Sequence, residues 1–398
     1  MRKISIMTLL LVLTMVFAGC TSEEMKLYDA FEKSKEITSM ESDTNLSFTL
    51  DATNLSAEEQ QDMEEVKRLL KDSKITVHQK SLQNKERTIV KSQVDTVLNL
   101  GGMAMDMQIW IDTDMSSSTP KFVEIIKMPP IFMMSAPPEY ANKEYMVYDF
   151  GEMMNEDQSV DMNFNELMNF SKEMQPKMTN FLKDNIAKLD LGFNVVEYKG
   201  KKTVDGKSLA IYEVKLDDAS LKKLLRYSGN YFIEDKNTME FMREYMKAVA
   251  NVTKPTDMDE ESAQEEINQE LDKLQNDIPK LKEQFNKFMD TFEGVKILGD
   301  KGIVIEYSVN EEGYIVHENG MIDLSIDLGA LKKLSENIDT ENIDTNENNT
   351  STQETDLFQI GINFNTDIYN INNDIEVQMP QVNEENSLNF KDLMESNE

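Results

Sequence analysis

The stretch ERTIVKSQVDTVLNLGGMAMDMQIWID, Glu86 to Asp112, decides the fold class. Residue character alternates on both sides of Gly101 and Gly102, and a two-residue glycine connection of this kind makes a tight hairpin between antiparallel strands. In the second arm Met103, Met105, Met107, Ile109 and Ile111 share one face, while Asp106, Gln108, Trp110 and Asp112 share the other. A sheet with one apolar and one polar side is the expectation.

The same period of two recurs along the chain. Leu46, Phe48 and Leu50 alternate within Asn45 to Thr53, and KITVHQKSL follows from Lys74. KFVEIIKM and KEYMVYDF flank a proline-rich stretch, and FNVVEYKGKKTVDGKSLAIYEVKL turns at Asp205-Gly206. Further strands are expected in VKILGDKGIVIEYSVNEEGYIVHENGMIDLSIDL, with Gly313 and Gly320 as turns, and in LFQIGINFNTDIYN and NNDIEVQMP.

Helical spacing marks MKLYDAFEKSKEITSM, the segment opened by the capping box of Ser56 and Glu59, and Asp161 to Leu191, in which Pro176 is expected to kink or break the helix. Asp218 to Tyr227, Asp235 to Asn251 and Asp257 to Phe292 read as further helices, with Pro279 interrupting the last. The fold class is therefore α+β: a curved antiparallel sheet covered by helices, with a helical insertion over about 218–293. SENIDTENIDTNENNTSTQETD, about 335–356, is read as a disordered polar loop, and 383–398 as an acidic tail.

The N-terminus sets the location. MRKISIMTLLLVLTMVFAGC has a basic start at Arg2 and Lys3, an apolar run too short for the roughly 20 residues of a membrane span, and small residues before Cys20. Its ending resembles the lipobox of bacterial lipoproteins, with Phe17 where leucine is commoner. That resemblance implies a signal peptide at 1–19 and a diacylated Cys20. Cys20 is the only cysteine, so no internal disulfide competes for it. Two acyl chains, at about 0.8 kcal/mol per buried CH2, hold a protein stably on a membrane. The expectation is a short tether at 20–24, a body over 25–382, and residence on the extracytoplasmic face of the cell membrane.

Removing Arg2 and Lys3 takes the formal charge from -33 to -35. Such a surface repels phosphate backbones, so no nucleic-acid partner is expected. Two histidines far apart in the sequence, His78 and His317, and one acylated cysteine leave no usual zinc or Cys-His site. GxSxG, Walker and GxGxxG motifs are absent, and no enzymatic activity or cofactor is expected. The methionines invite a copper(I) reading. Strand residues two apart lie about 6.6 to 6.8 Å apart, however, too far to share one ion easily, and no metal site is expected. Flexible thioether chains suit a face that accepts apolar molecules of variable shape.

KMPPIFMMSAPPEY, Lys127 to Tyr140, brackets apolar residues with four prolines that oppose helix and central strand alike. It reads either as a rigid connection at the mouth of the sheet or as one tucked over the core edge. The order of lipobox, N-terminal helix, long hairpin strands, proline connection after KFVEIIKMP and closing NDIEVQMP resembles the lipoprotein-carrier superfamily. These half-barrel proteins include bacterial lipoprotein-localisation carriers and mycobacterial lipid-binding lipoproteins, and the pattern is similar to their counterparts in low-GC Gram-positive bacteria. The resemblance implies a concave face that holds a lipid-like ligand; lipoprotein trafficking is not carried over. Met103, Met105, Met107, Ile109, Ile131, Phe132, Met133 and Met134 are the candidate lining residues. The alternative expectation is a non-enzymatic scaffold or sensor engaging an envelope protein.

Overall fold

A computed structural model of the chain describes residues 22–116, 121–133, 140, 143–150, 164–186, 191–253, 269, 277–339 and 356–391. Helix α1 (Ser22–Ser34) leads into β1 (Ser39–Thr53), after which α2 (Ala57–Leu70) crosses to β2 (Lys74–Gln83). The strands β3 (Ile89–Leu100), β4 (Met103–Asp114), β5 (Lys121–Lys127) and β6 (Tyr145–Asp149) then meander, with the single turn α3 (Pro130–Met133) between the last two. Helix α4 (Phe164–Ile186) precedes a hairpin of β7 (Val196–Val204) and β8 (Lys207–Leu216). Helices α5 (Asp218–Glu234), α6 (Lys236–Thr253) and α7 (Ile278–Glu293) follow, then β9 (Leu298–Val309), β10 (Ile315–Asp327) and α8 (Leu328–Asp339). The chain closes with β11 (Leu357–Tyr369) and β12 (Ser387–Asn389).

All twelve strands form one open sheet in the order β12-β6-β5-β4-β3-β2-β1-β11-β10-β9-β8-β7. Every pairing is antiparallel except the short β12-β6 edge. Two meanders, β1–β6 and β7–β10, are joined by β11, which hydrogen-bonds to β1 on one side and β10 on the other. The β3-β4 hairpin turns on Gly101 and Gly102 at φ +57° and +84°. Both angles are left-handed, as a two-residue hairpin that matches strand twist requires.

Register places alternate residues of neighbouring strands on one side of the sheet. One row runs through nine strands: Val196, Val214, Ile305, Gly320, Phe364, Leu46, Ile75, Leu98 and Met105. At the β7–β10 end this apolar face is closed by helices. Leu27 and Ala30 of α1 and Leu224 of α5 pack on Val196, Tyr212, Val214, Leu216 and Tyr307.

The insertion α5–α7 lies between β8 and β9, which are direct sheet neighbours. Its root is a buried ion pair. Lys222 Nζ lies 2.6 Å from Asp218 Oδ2 and donates to the Glu293 carbonyl at 2.9 Å, while Asp218 Oδ1 accepts the N–H groups of Ile297 and Leu298. Burial pushes the Asp218 carboxyl up, but the Leu298 N–H, Lys222 and the Ile297 N–H together hold it below its ordinary value. Arg226 to Asp290 and Asn230 to Asn286 tie α5 to α7. Stacked Phe181 and Phe241, with ring centroids 4.3 Å apart, tie α4 to α6.

Several expectations change. Gly320 is no turn: it sits inside β10 beneath the Phe364 ring, where a side chain would collide. Pro176 is carried within α4, and Pro279 falls in the first turn of α7, where no backbone N–H is needed. Pro130 likewise opens α3, so the proline stretch does contain one helical turn. NNDIEVQMP forms no strand: the Asn372 N–H bonds the Ser39 carbonyl at 2.8 Å, and the segment then joins no ladder. Its alternation, with Ile375, Val377 and Met379 half-buried, reflects packing without a ladder. Residues 335–339 belong to α8, and 387–389 form β12 within the expected tail. Residues 340–355 lie outside the described residues, as do 1–21 with Cys20.

Candidate functional site

The apolar face continues past the helix-covered core onto β11 and β1–β6. Met105, Met107 and Ile109 stand opposite Leu98, Thr96 and Val94 of β3, and Ile109 stands opposite Ile126 of β5. Phe48 and Ile362, Leu50 and Ile360 extend the same face on β1 and β11. All of these are half-buried, whereas the fully buried residues of β7–β10 sit under helices. The sheet thus offers one closed apolar half and one more open half.

Four of the candidate residues share this surface. Met103 is 55% exposed at the hairpin end, and Met105, Met107 and Ile109 follow inward. Ile131 is 51% exposed in α3, where β5 leaves the sheet toward the Met103–Met107 half of β4. Phe132 and Met133 complete that turn, their side chains outside the described set; Met134 lies outside the described residues.

A polar row interrupts the apolar face. Tyr307, Glu318, Thr366, Thr44, Val77, Thr96 and Met107 are successive partners across seven strands. The hydroxyls of Thr44 and Thr366 are 2.9 Å apart. Burial pushes the Glu318 carboxyl up, an effect that neighbouring His317 opposes only in part. Phe31 of α1 meets the Tyr307 ring edge-on at 5.2 Å, so Glu318 marks the border of the helix cover.

The opposite face is polar. His78 Nδ1 lies 2.8 Å from Asp43 Oδ1, His317 Nδ1 lies 2.7 Å from Asp367 Oδ1, and Tyr369 donates to Asp43 Oδ2 at 2.9 Å. Among the described residues no three His, Cys, Asp or Glu side chains are grouped to hold a metal. A cleft of about 430 Å³ on this side is lined by Asp51, Asp300, Lys301, Asp323 and Gln359, and each acid has a partner: Asp51 has Lys67, Asp300 has Lys296, and Asp323 accepts the Lys301 N–H. A second, of about 420 Å³, runs along α5 past Lys223, Arg226 and Tyr231. Neither cleft is lined by a residue of β4 or α3.

The alternation of β4 puts Trp110 on the polar side. It is 6% exposed there, beside Ile125 at 4% and 6.2 Å from the Tyr145 ring, with its indole N–H unpartnered. The signal available was the apolar Ile125 and Val123 on the same side of the next strand.

No family model matches this chain, and no curated protein matches it. Among solved structures it is similar to the crystal structure of a DUF1329 family protein from Desulfovibrio piger, with 8% identity over 90% of this chain and 96% of the other and a TM-score of 0.18. A likeness of that size carries no argument about function.

Proposed function

We propose that the protein is an extracytoplasmic lipoprotein, anchored through diacylated Cys20, that binds an apolar or amphiphilic, lipid-like molecule along the open half of its apolar face. The observation that carries this reading is the row from Val196 to Met105: an unbroken line without a polar side chain across nine strands, sealed by α1 and α5 at one end and half-exposed at the other. Each CH2 taken from water contributes about 0.8 kcal/mol. A long acyl chain laid on this face gains on the order of 10 kcal/mol before the cost of association, enough for a measurable complex. The sequence pattern shared with half-barrel lipid carriers of Gram-positive type supports the same reading.

Native mass spectrometry of Thr21–Glu398, which keeps every described element, followed by organic extraction, tests it. A copurifying adduct of discrete lipid-sized mass is the expected result. An apo mass together with no uptake of a neutral fluorescent lipid would sink the reading. It would favour a protein partner instead, engaged through α2, whose Val66 and Leu69 are exposed and whose helix buries no residue. Anchoring is tested separately by palmitate labelling, which Cys20→Ala should abolish.

A further inference from the structure

The apolar face has an electrostatic asymmetry that restricts what it can hold. In β1–β6, β10 and β11 all five lysines and both histidines fall in register on the polar side. The apolar side of those strands carries only two charged groups, Glu318 on β10 and Glu124 on β5. Glu318 is half-buried between Tyr307 and Thr366, and the one positive group that acts on its carboxylate among the described residues is His317, which belongs to the opposite face. A carboxylate that has lost part of its hydration gains from a donor that replaces the lost water. An anionic head group brought there would meet a like charge and no counter-charge on that face.

We propose that the ligand of the apolar face is an amphiphile whose head group donates hydrogen bonds and bears no negative charge, docked on Glu318 beside the hydroxyls of Thr366 and Thr44, with its chain running over Leu46 and Ile75 toward Met105. The inference rests on the apolar-face reading above and adds its chemistry. Glu318 acts as the selector. A donor brought to the half-buried carboxylate replaces the water that burial removes from it, which favours a head group that donates.

Calorimetric titration of Thr21–Glu398 with dodecylamine, monolaurin and laurate, which share one acyl length, tests the proposal at neutral pH in high salt. High salt screens the chain's overall negative charge. Dodecylamine and monolaurin should bind at least about tenfold more tightly than laurate. Glu318→Gln should bring dodecylamine to within about threefold of laurate, while Asp106→Asn, which makes the same charge change on the polar face, should leave the ratio in place. Laurate binding as tightly as the other two, or equal effects of the two substitutions, would overturn the head-group inference and leave the apolar face a general lipid surface. Binding of none of the three probes would overturn the apolar-face reading itself.

Discussion

His78 and His317, the only histidines of the chain, stand in one cross-strand row with Asp43 and Asp367 between them. Asp43 and Asp367 are direct partners on β1 and β11, where like charges facing each other destabilise a sheet. Each carboxylate is met from its outer side by an imidazole, so the β1-β11 seam joining the two meanders is flanked by a pair of His–Asp contacts.

That arrangement fixes a pH response. The His78 hydrogen bond, helped by that of Tyr369 and opposed by burial, holds the Asp43 carboxyl below the usual carboxylate range. A depressed folded-state value contributes stability that is present above the unfolded value of about 3.9 and lost as pH falls through the folded one. His78→Ala should therefore raise the Asp43 titration toward its ordinary value in a carboxyl NMR titration. Because the pair is largely exposed, the stability change should stay below about 1 kcal/mol. An unmoved Asp43 titration would mean that His78 does not hold the carboxylate.

Glu318 runs in the opposite sense. Its folded-state value is raised, chiefly by burial, so its contribution to stability is greatest below the unfolded value of about 4.3 and declines as pH rises through the folded value. Glu318→Gln removes that decline. Thermal melts across the acid-to-neutral range should show the variant gaining on the parent as pH rises. A variant that melts lower than the parent at neutral pH would show that ionised Glu318 has a stabilising partner.

The root of the helical insertion gives a larger effect. Lys222 is buried, and its loss leaves Asp218 with the two N–H groups of Ile297 and Leu298 and the more distant charge of Lys296. Breaking a buried pair from one side costs about 3–5 kcal/mol, so Lys222→Met should cost about 3 kcal/mol in urea unfolding. A loss below about 1 kcal/mol would mean that the junction of α5 with β9 does not depend on the pair.

The signals legible in the sequence were local. The Gly101-Gly102 hairpin, the methionine face of β4 and the reciprocal Ser56–Glu59 cap at 2.8 and 3.3 Å all follow from residues a few positions apart. What was not legible depended on distant partners. Nothing near Leu357–Tyr369 says that this strand enters between β1 and β10, and nothing near NDIEVQMP says that it joins no ladder. The same long-range pairing brings His78 and His317 into one row, although their spacing in the chain suggested they were unrelated. On the methionine face, Glu318 could not be assigned a side from sequence, because the register shift between Ile315 and His317 resets the alternation of β10.

Gly320 offers a test of how the closed and open halves of the apolar face are coupled. It lies in the long apolar row between Ile305, under the helices, and Phe364, and the Phe364 ring covers its α-carbon so closely that a Cβ would overlap the ring. Glycine here leaves room for an aromatic ring from the next strand, a device that restores packing where a strand glycine would otherwise weaken the sheet. Gly320→Ala must displace that ring and should cost about 1–3 kcal/mol in chemical denaturation. If the cost arises from the overlap, Phe364→Leu should relieve part of it. The double variant would then lose less than the sum of the single losses, by at least about 0.5 kcal/mol. Strict additivity would place the cost in the backbone of β10 and free Phe364 from any role as a wedge. Coupling would make Phe364 the residue whose position is set by the closed core and whose ring forms the first surface a bound chain meets on the open side.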